Sequence, residues 1–345
     1  MTQKELTIRN LGQSLDDLMN LDPRGYGVCK ILYEASRRYT GEPLTANAAK
    51  KLNAALQAGD YVYIITGFVL RPFGSAETDG IIGSMLLARS LVKAFAVRPV
   101  IICQEENIPA VEGLARLIGL HYFDSVEKMG DMPASLAYHA FTKDRLKADE
   151  ESESLMRSCM PKAVITVEAP GANERGAYHN AVGLDITPLE AKMDVLFEKL
   201  IMAGVLNLSI GDLGNEMGMG TISEQLRRYI PYAAAGECAC ECGGGLAVRT
   251  KADNIITATT SGGDIDIFHD ASLQAQAMER AADCGMIDMY GWTIPAIDGI
   301  GETLNCSIVT SMRECVKYSM KLEKTCAKWF EKTLEKGYFD EKEHR

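Results

Sequence analysis

The sequence predicts an α/β fold: a mostly parallel sheet with helices on both faces, Rossmann-like and three-layered, with N-terminal and C-terminal helices packed on it. Three observations predict it. Short apolar, β-branched runs recur through the middle of the chain. Stretches of helical spacing alternate with them. Polar, glycine-rich loops follow several of the runs, in the place where such sheets bind ligands.

In order, residues 1–58 read as an N-terminal helical segment, broken around "DPRGYG" (22–27). The α/β part spans 59–308, and a long helix and tail fill 309–345. "YVYIIT" (61–66) reads as a strand, followed by a loop and a helix from 80 to about 96. "PVIICQ" (99–104) and "IPAVEGLARLIG" (108–119) repeat the pattern as strand and helix. Residues 125–160 are polar and ambiguous. "AVITVEA" (163–169) is the next strand. In "TPLEAKMDVLFEKLIMAG", Thr187 and Glu190 match a capping box, Pro188 fits the first helical position and Gly204 the stop, which predicts a helix over 187–204. "VLNLSI" (205–210) and "NIITATT" (254–260) are strands, and 271–285 is a helix.

The chain has 345 residues, enough for one large domain or two closely joined ones. Its net charge of -11 disfavours nucleic acid and anionic membrane as partners. No apolar run is long enough to span a bilayer, and "MTQKELTIRNLGQ" lacks the apolar core of a secretory signal. The expected place is the cytoplasm, with the ten cysteines mostly reduced. The expected partner is a small-molecule substrate, and the oligomeric state, including a homo-oligomer, is left open.

Three loops carry the chemistry. The first, "GFVLRPFGSAETDG" (67–80), puts Glu77, Thr78 and Asp79 before a helix and adds Arg71. Helix capping explains Asp79 but not Glu77 beside it. The second, "VEAPGANERGAYHNAVGLDIT" (167–187), carries Glu168, Asn173, Glu174, Arg175, Tyr178, His179, Asn180 and Asp185. A histidine there suits a general base, and equally a loop histidine bonded to backbone. The third, "LNLSIGDLGNEMGMG" (206–220), ends a strand with Asp212 and reads Asn215 and Glu216 as the start of a helix. Its glycines let backbone approach a ligand. Carboxylates gathered in such a loop suit a divalent cation with oxygen ligands. "GDLGNE" has a likeness to the acidic loop of haloacid-dehalogenase-type phosphatases, but the first strand ends "YIITGFV" without their Asp-x-Asp, and "GGDIDIF" follows a late strand.

Together, "ETDG", then "E-x-PG-x-N … G-x-YHN … G-x-DI", then "IGD-x-GNE-x-GMG" resemble the D-glutamate cyclase-like C-terminal domain family, over roughly residues 20 to 300. The resemblance implies an α/β fold and a lyase reaction of amino-acid metabolism, cyclisation of D-glutamate to 5-oxo-D-proline with loss of water. Ala169 and Val182 stand where it implies arginines, and "TTSGGD" where it implies an aromatic turn.

Forming this lactam takes an uncharged amine, an activated γ-carboxylate and an exit for water. His179 is the first candidate base and Glu168 the second. Asp212 and Glu216, with Asp185 or Asp79, could hold Mn²⁺ or Mg²⁺ to polarise the carboxylate. Asn173, Asn180 and Asn215 suit substrate hydrogen bonds, with Glu77, Thr78 and Tyr178 beside them; Arg71 or Arg175 would pair the α-carboxylate. No nucleotide cofactor is expected. The other readings are a hydrolase or lyase on a related amino acid or lactam, and a non-catalytic ligand-binding protein.

"GECACECGGG" (236–245) places Cys238, Cys240 and Cys242 at alternate positions, on one face if the segment were a strand. It lacks the two-residue gap of common zinc pairs and a visible fourth ligand, so buried or idle thiols are the expected state.

Overall fold

The computed structural model describes residues 1–258, 269–325 and 327–340. Helices α1 (Gln3–Met19), α2 (Val28–Thr40) and α3 (Leu44–Ala55) open the chain. Thr2 and Glu5 form a capping box at the start of α1. Pro43, the residue before α3, offers no side-chain cap. Buried Asp16 of α1 replaces it: its carboxylate accepts the Leu44 amide (2.7 Å), the Thr45 amide (3.1 Å) and the Thr45 hydroxyl (2.7 Å). One acid thus satisfies the free amides of a second helix and locks the pair together.

Strand β1 (Tyr61–Thr66) leads into the small hairpin β2 (Val69–Leu70) and β3 (Ser75–Ala76), then α4 (Thr78–Phe95). β4 (Arg98–Cys103), α5 (Ile108–Leu117) and β5 (His121–Phe123) follow. Next come α6 (Val126–Met129), β6 (Ser135–Ala140), α7 (Arg145–Ser158) and β7 (Ala163–Val167). α8 (Met193–Met202), β8 (Leu206–Gly211), α9 (Ser223–Tyr229) and β9 (Ile255–Thr257) complete the sheet region. The chain ends through α10 (Ala271–Asp283), a short hairpin of β10 (Ala296–Ile297) and β11 (Ile300–Gly301), α11 (Glu302–Thr325) and α12 (Ala327–Glu335).

Seven strands form one parallel sheet in the order β5-β6-β4-β1-β7-β8-β9. Val62, Ile64 and Ile65 of β1, and Val164 and Ile165 of β7, are fully buried, as strands covered on both faces require. Each such side chain contributes about 1.5–3 kcal/mol. α4 packs on β1, β4 and β7 and is joined by α5 and α10, while α7 packs with α8. With right-handed crossovers these are the two outer layers of a three-layer fold. One hydrophobic core includes Leu15 of α1, the sheet, and Ile308 and Met312 of α11.

The topology positions the site. From β1 the chain crosses to β4 on one side; from β7 it crosses to β8 on the other. β1 and β7 are neighbours in register, Val62 beside Ala163 and Thr66 beside Val167. The crevice beyond their carboxyl ends is therefore the switch point where such sheets bind ligands.

The ambiguous stretch 125–160 holds α6, β6 and α7, and β5 precedes it. The expected helix over 187–204 starts only at Met193. Its capping box does not form, because the Glu190 carboxylate turns inward, accepts the Val69 amide (2.9 Å) and bonds Gln104 Nε2. The Thr187 hydroxyl accepts the Tyr178 amide instead (2.9 Å). Tertiary partners outweigh the local cap. Asn215 and Glu216 also start no helix: Glu216 bridges to Pro170, and α9 begins at Ser223. The thiol segment is a turn-rich loop, not a strand. The end of "NIITATT" and the "TTSGGD" and "GGDIDIF" motifs lie at 259–268, outside the described residues. Among the described residues no helix is long and apolar enough to cross a membrane.

Candidate metal and substrate site

Six carboxylates meet at the switch point. Glu77 and Asp79 stand at the start of α4, Glu168 directly follows β7, Asp212 directly follows β8, Glu216 lies four residues further on, and Asp298 tips the hairpin of β10 and β11. All line one cavity of about 210 Å³. That is below the roughly 300–1,000 Å³ of drug-sized sites and suits a molecule of amino-acid size. Phe68, Leu70, Val182 and Met289 add an apolar side.

The backbone is bent to aim these groups. Glu168 takes a left-handed conformation (φ 45°), as does Asp298 (φ 57°). A non-glycine residue there costs of order 1–3 kcal/mol and persists where the surroundings over-determine it. The Glu216 carboxylate accepts the Leu213 amide (3.1 Å) and the Gly214 amide (2.7 Å) of its own loop. That loop needs Gly218 at φ 89°, where a Cβ would stand 1.9 Å from the Ser209 hydroxyl.

Among the described residues, the cluster's two salt bridges both use Arg24. Its Nη2 lies 3.4 Å from Asp212 Oδ2 and its Nη1 3.2 Å from Asp298 Oδ1. Six acids against one guanidinium leave a large negative excess in a buried place. Burial first, and then mutual repulsion, pushes Glu168, Asp212 and Glu77 well above the usual carboxylate range. Burial and the Asp298 charge raise Asp79 to about 8. Burial also raises Glu216 and Asp298, partly offset by their hydrogen bonds. Protons can lighten such a load, and so can cations. Oxygens of Glu168, Asp212 and Glu216 lie within 4.8 Å of one another, and so do those of Glu77, Asp79 and Asp298. Two all-oxygen triads fit hard divalent cations such as Mg²⁺ or Mn²⁺.

Of the residues predicted from sequence, Glu77, Asp79, Glu168, Asn180, Asp212, Asn215 and Glu216 line the cavity. Asn215 Nδ2 donates to the His179 carbonyl (3.0 Å), and its Oδ1 is buried without a partner among the described residues. The other candidates lie outside the cavity lining. Thr78 is buried, and its hydroxyl donates to the Ala296 carbonyl (2.7 Å), holding the β10 hairpin. Tyr178 is buried and donates to Asp194. The Asn173 amide donates to the Gly245 carbonyl (2.8 Å). Arg71 and Arg175 are exposed, outside the cavity lining. Asp185 accepts the Thr187 amide (2.8 Å) and belongs to neither carboxylate triad. His179 also lies outside the cavity lining, and its Nε2 faces the Cys240 thiol at 3.0 Å.

Sequence reasoning missed Arg24 and Asp298. Arg24 sits in "DPRGYG", visible only as a helix break; Asp298 sits in an ordinary hairpin turn, "IDGI".

Fold and cavity define an α/β protein with an acidic cavity at the carboxyl ends of its strands. The family model described as "D-glutamate cyclase-like, C-terminal" matches residues 15–313, and the chain belongs to that family. The human "D-glutamate cyclase, mitochondrial" is 33% identical over 79 residues, 23% of this chain and 13% of the human protein. The matched stretch thus spans about an eighth of that curated relative. A solved structure titled "TcdA (CsdL)" aligns over 80% of this chain and 92% of its own, at 12% identity and a TM-score of 0.29.

Proposed function

We propose that this chain is a divalent-metal-assisted lyase that cyclises an amino acid, with D-glutamate as the leading substrate and 5-oxo-D-proline and water as products. The observation that carries the reading is the pair of carboxylate triads facing one small cavity in a member of this family.

In the reaction the ammonium nitrogen loses two protons and bonds the γ-carbon. One γ-oxygen takes two protons and leaves as water. Glu168 and Asp79, held as acids with raised affinity for protons, suit this relay from nitrogen to oxygen. Asp212 and Glu216, with Glu77 and Asp298 opposite, would hold Mn²⁺ or Mg²⁺, which leaves Glu168 and Asp79 to carry protons. A bound cation supplies Lewis-acid polarisation of the γ-carboxylate. Arg24 is the guanidinium at hand for a substrate carboxylate, in place of Arg71 or Arg175. The Asn215 Oδ1, buried and without a partner among the described residues, suits an ammonium hydrogen. The apolar side is placed to exclude water, which favours ring closure over hydrolysis.

A second reading rests on Val182. The resemblance implies an arginine there, and the side chain lines the cavity. A related amino acid or lactam with one less charge to clamp fits that change.

The test is product formation. Purified protein is incubated with D-glutamate or L-glutamate, with Mn²⁺ and with chelator, and 5-oxoproline is followed. Chelator-sensitive turnover of the D form is expected. Folded, Mn²⁺-loaded protein that turns over neither form overturns the glutamate assignment and moves the search to other amino acids and lactams.

A further inference from the structure

The three alternate cysteines do find a fourth partner. The Cys238, Cys240 and Cys242 sulfurs and His179 Nε2 all lie within 4.8 Å of one another. Cys238 Sγ is 3.6 Å from both Cys240 Sγ and Cys242 Sγ. His179 Nε2 is 3.0 Å from Cys240 Sγ and 3.6 Å from Cys242 Sγ. A tetrahedral Zn²⁺ with bonds of about 2.3 Å to sulfur sets its sulfurs about 3.8 Å apart. These sulfurs are too far apart for a disulfide, whose bond is about 2.05 Å, and all three cysteines are free.

The surroundings favour a metal over idle thiols. Cys242 Sγ accepts the Gly244 amide (3.3 Å) and the Asn173 side-chain amide (3.5 Å), the outer bonds that orient a thiolate ligand. His179 is buried, and among the described residues its Nε2 bonds only to sulfur. An imidazole so poorly satisfied by protein atoms is well used as a ligand. Glycines make the wrap possible. Gly245 sits at φ 72°, and a Cβ there would stand 2.3 Å from the Ala234 carbonyl; a Cβ on Gly244 would stand 2.5 Å from Asn173 Nδ2.

We propose that Cys238, Cys240, Cys242 and His179 form a structural Zn²⁺ site that braces one wall of the acidic cavity. Four protein ligands close the tetrahedron and leave no open position, as in structural rather than catalytic zinc. Three thiolates and an imidazole select a soft cation, so this centre is distinct from the oxygen triads. It would tie two loops that lack regular structure. The backbone already joins them through the Ala239 amide and the Gly183 carbonyl (3.0 Å). Asn180 and Val182, beside His179, line the cavity, and the His179 carbonyl holds Asn215.

The test uses the full chain, with Zn²⁺ and Co²⁺ as probes. Metal analysis of freshly purified protein is expected to give one zinc ion per chain. Co²⁺ in its place is expected to show tetrahedral visible bands and sulfur-to-cobalt charge-transfer absorption. Cys240→Ser lowers Zn²⁺ affinity by at least the roughly 100-fold that losing an outer-shell partner can cost. His179→Cys keeps the cobalt and strengthens the sulfur absorption, which guards against a variant that fails to fold. Asp212→Asn leaves the sulfur absorption intact, so this result stands apart from the fate of the acidic cavity. Folded protein with no zinc, no charge-transfer absorption after adding Co²⁺, or a disulfide within the cluster overturns the proposal.

Discussion

Freed of divalent cations, the protein is expected to lose stability as pH rises from about 4 to about 8, and Mn²⁺ is expected to restore it. The sign follows from linkage. Asp79 has an unperturbed value of 3.8 and is raised to about 8 in the fold. Its folded state therefore holds a proton that the unfolded state has released, so its stabilising contribution is complete below about 4 and fades as pH climbs through the folded value. One such group is worth on the order of 5 kcal/mol. Glu168, Asp212 and Glu77 are raised in the same direction for the same reasons, burial first and neighbouring charge second. A cation bound to the ionised triads reverses the slope, because it stabilises the charged form. Thermal melts in chelator and in Mn²⁺, across pH 5 to 9, check this. Parallel curves in the two conditions would remove the acidic cavity as a cation site.

Glu168→Gln is expected to lower kcat/KM for cyclisation by roughly 10² to 10⁴-fold, the range for losing a positioned acid-base group. The amide keeps the shape and can keep the left-handed backbone, so folding should survive. The amide also mimics the protonated acid that the cation-free fold favours, so the variant in chelator should melt at or above the wild-type temperature. Lost turnover together with unchanged or raised stability separates chemistry from structure. Wild-type kcat/KM in this variant would take Glu168 out of the mechanism.

Much of the fold was legible, because strands buried on both faces leave unbroken apolar runs. "YVYIIT", "AVITV" and "LNLSI" each became a central strand. β5 and β6 were harder: "HYF" is short, and "SLAYHA" lies in polar surroundings. Five of the six acids were legible because they lie in loops that follow a visible strand or lead into a visible helix, and Asp298, in an ordinary hairpin turn, was not. Arg24 was not, since it meets Asp212 across 188 residues of sequence. Asn173, Tyr178 and Thr78, read from sequence as substrate contacts, lie outside the cavity lining. A polar residue in a glycine-rich loop has its own backbone to satisfy, and these three bond within the scaffold. His179 was singled out, but its partners lie 61 and 63 residues away, beyond the reach of spacing rules.

The most direct measurement counts bound Mn²⁺ on zinc-loaded protein by electron paramagnetic resonance, for wild type and Asp212→Asn at pH 7.5. The cavity as described predicts saturable Mn²⁺ binding in the wild type, weakened or reduced in stoichiometry in the variant. No specific Mn²⁺, or equal binding by both proteins, would contradict it.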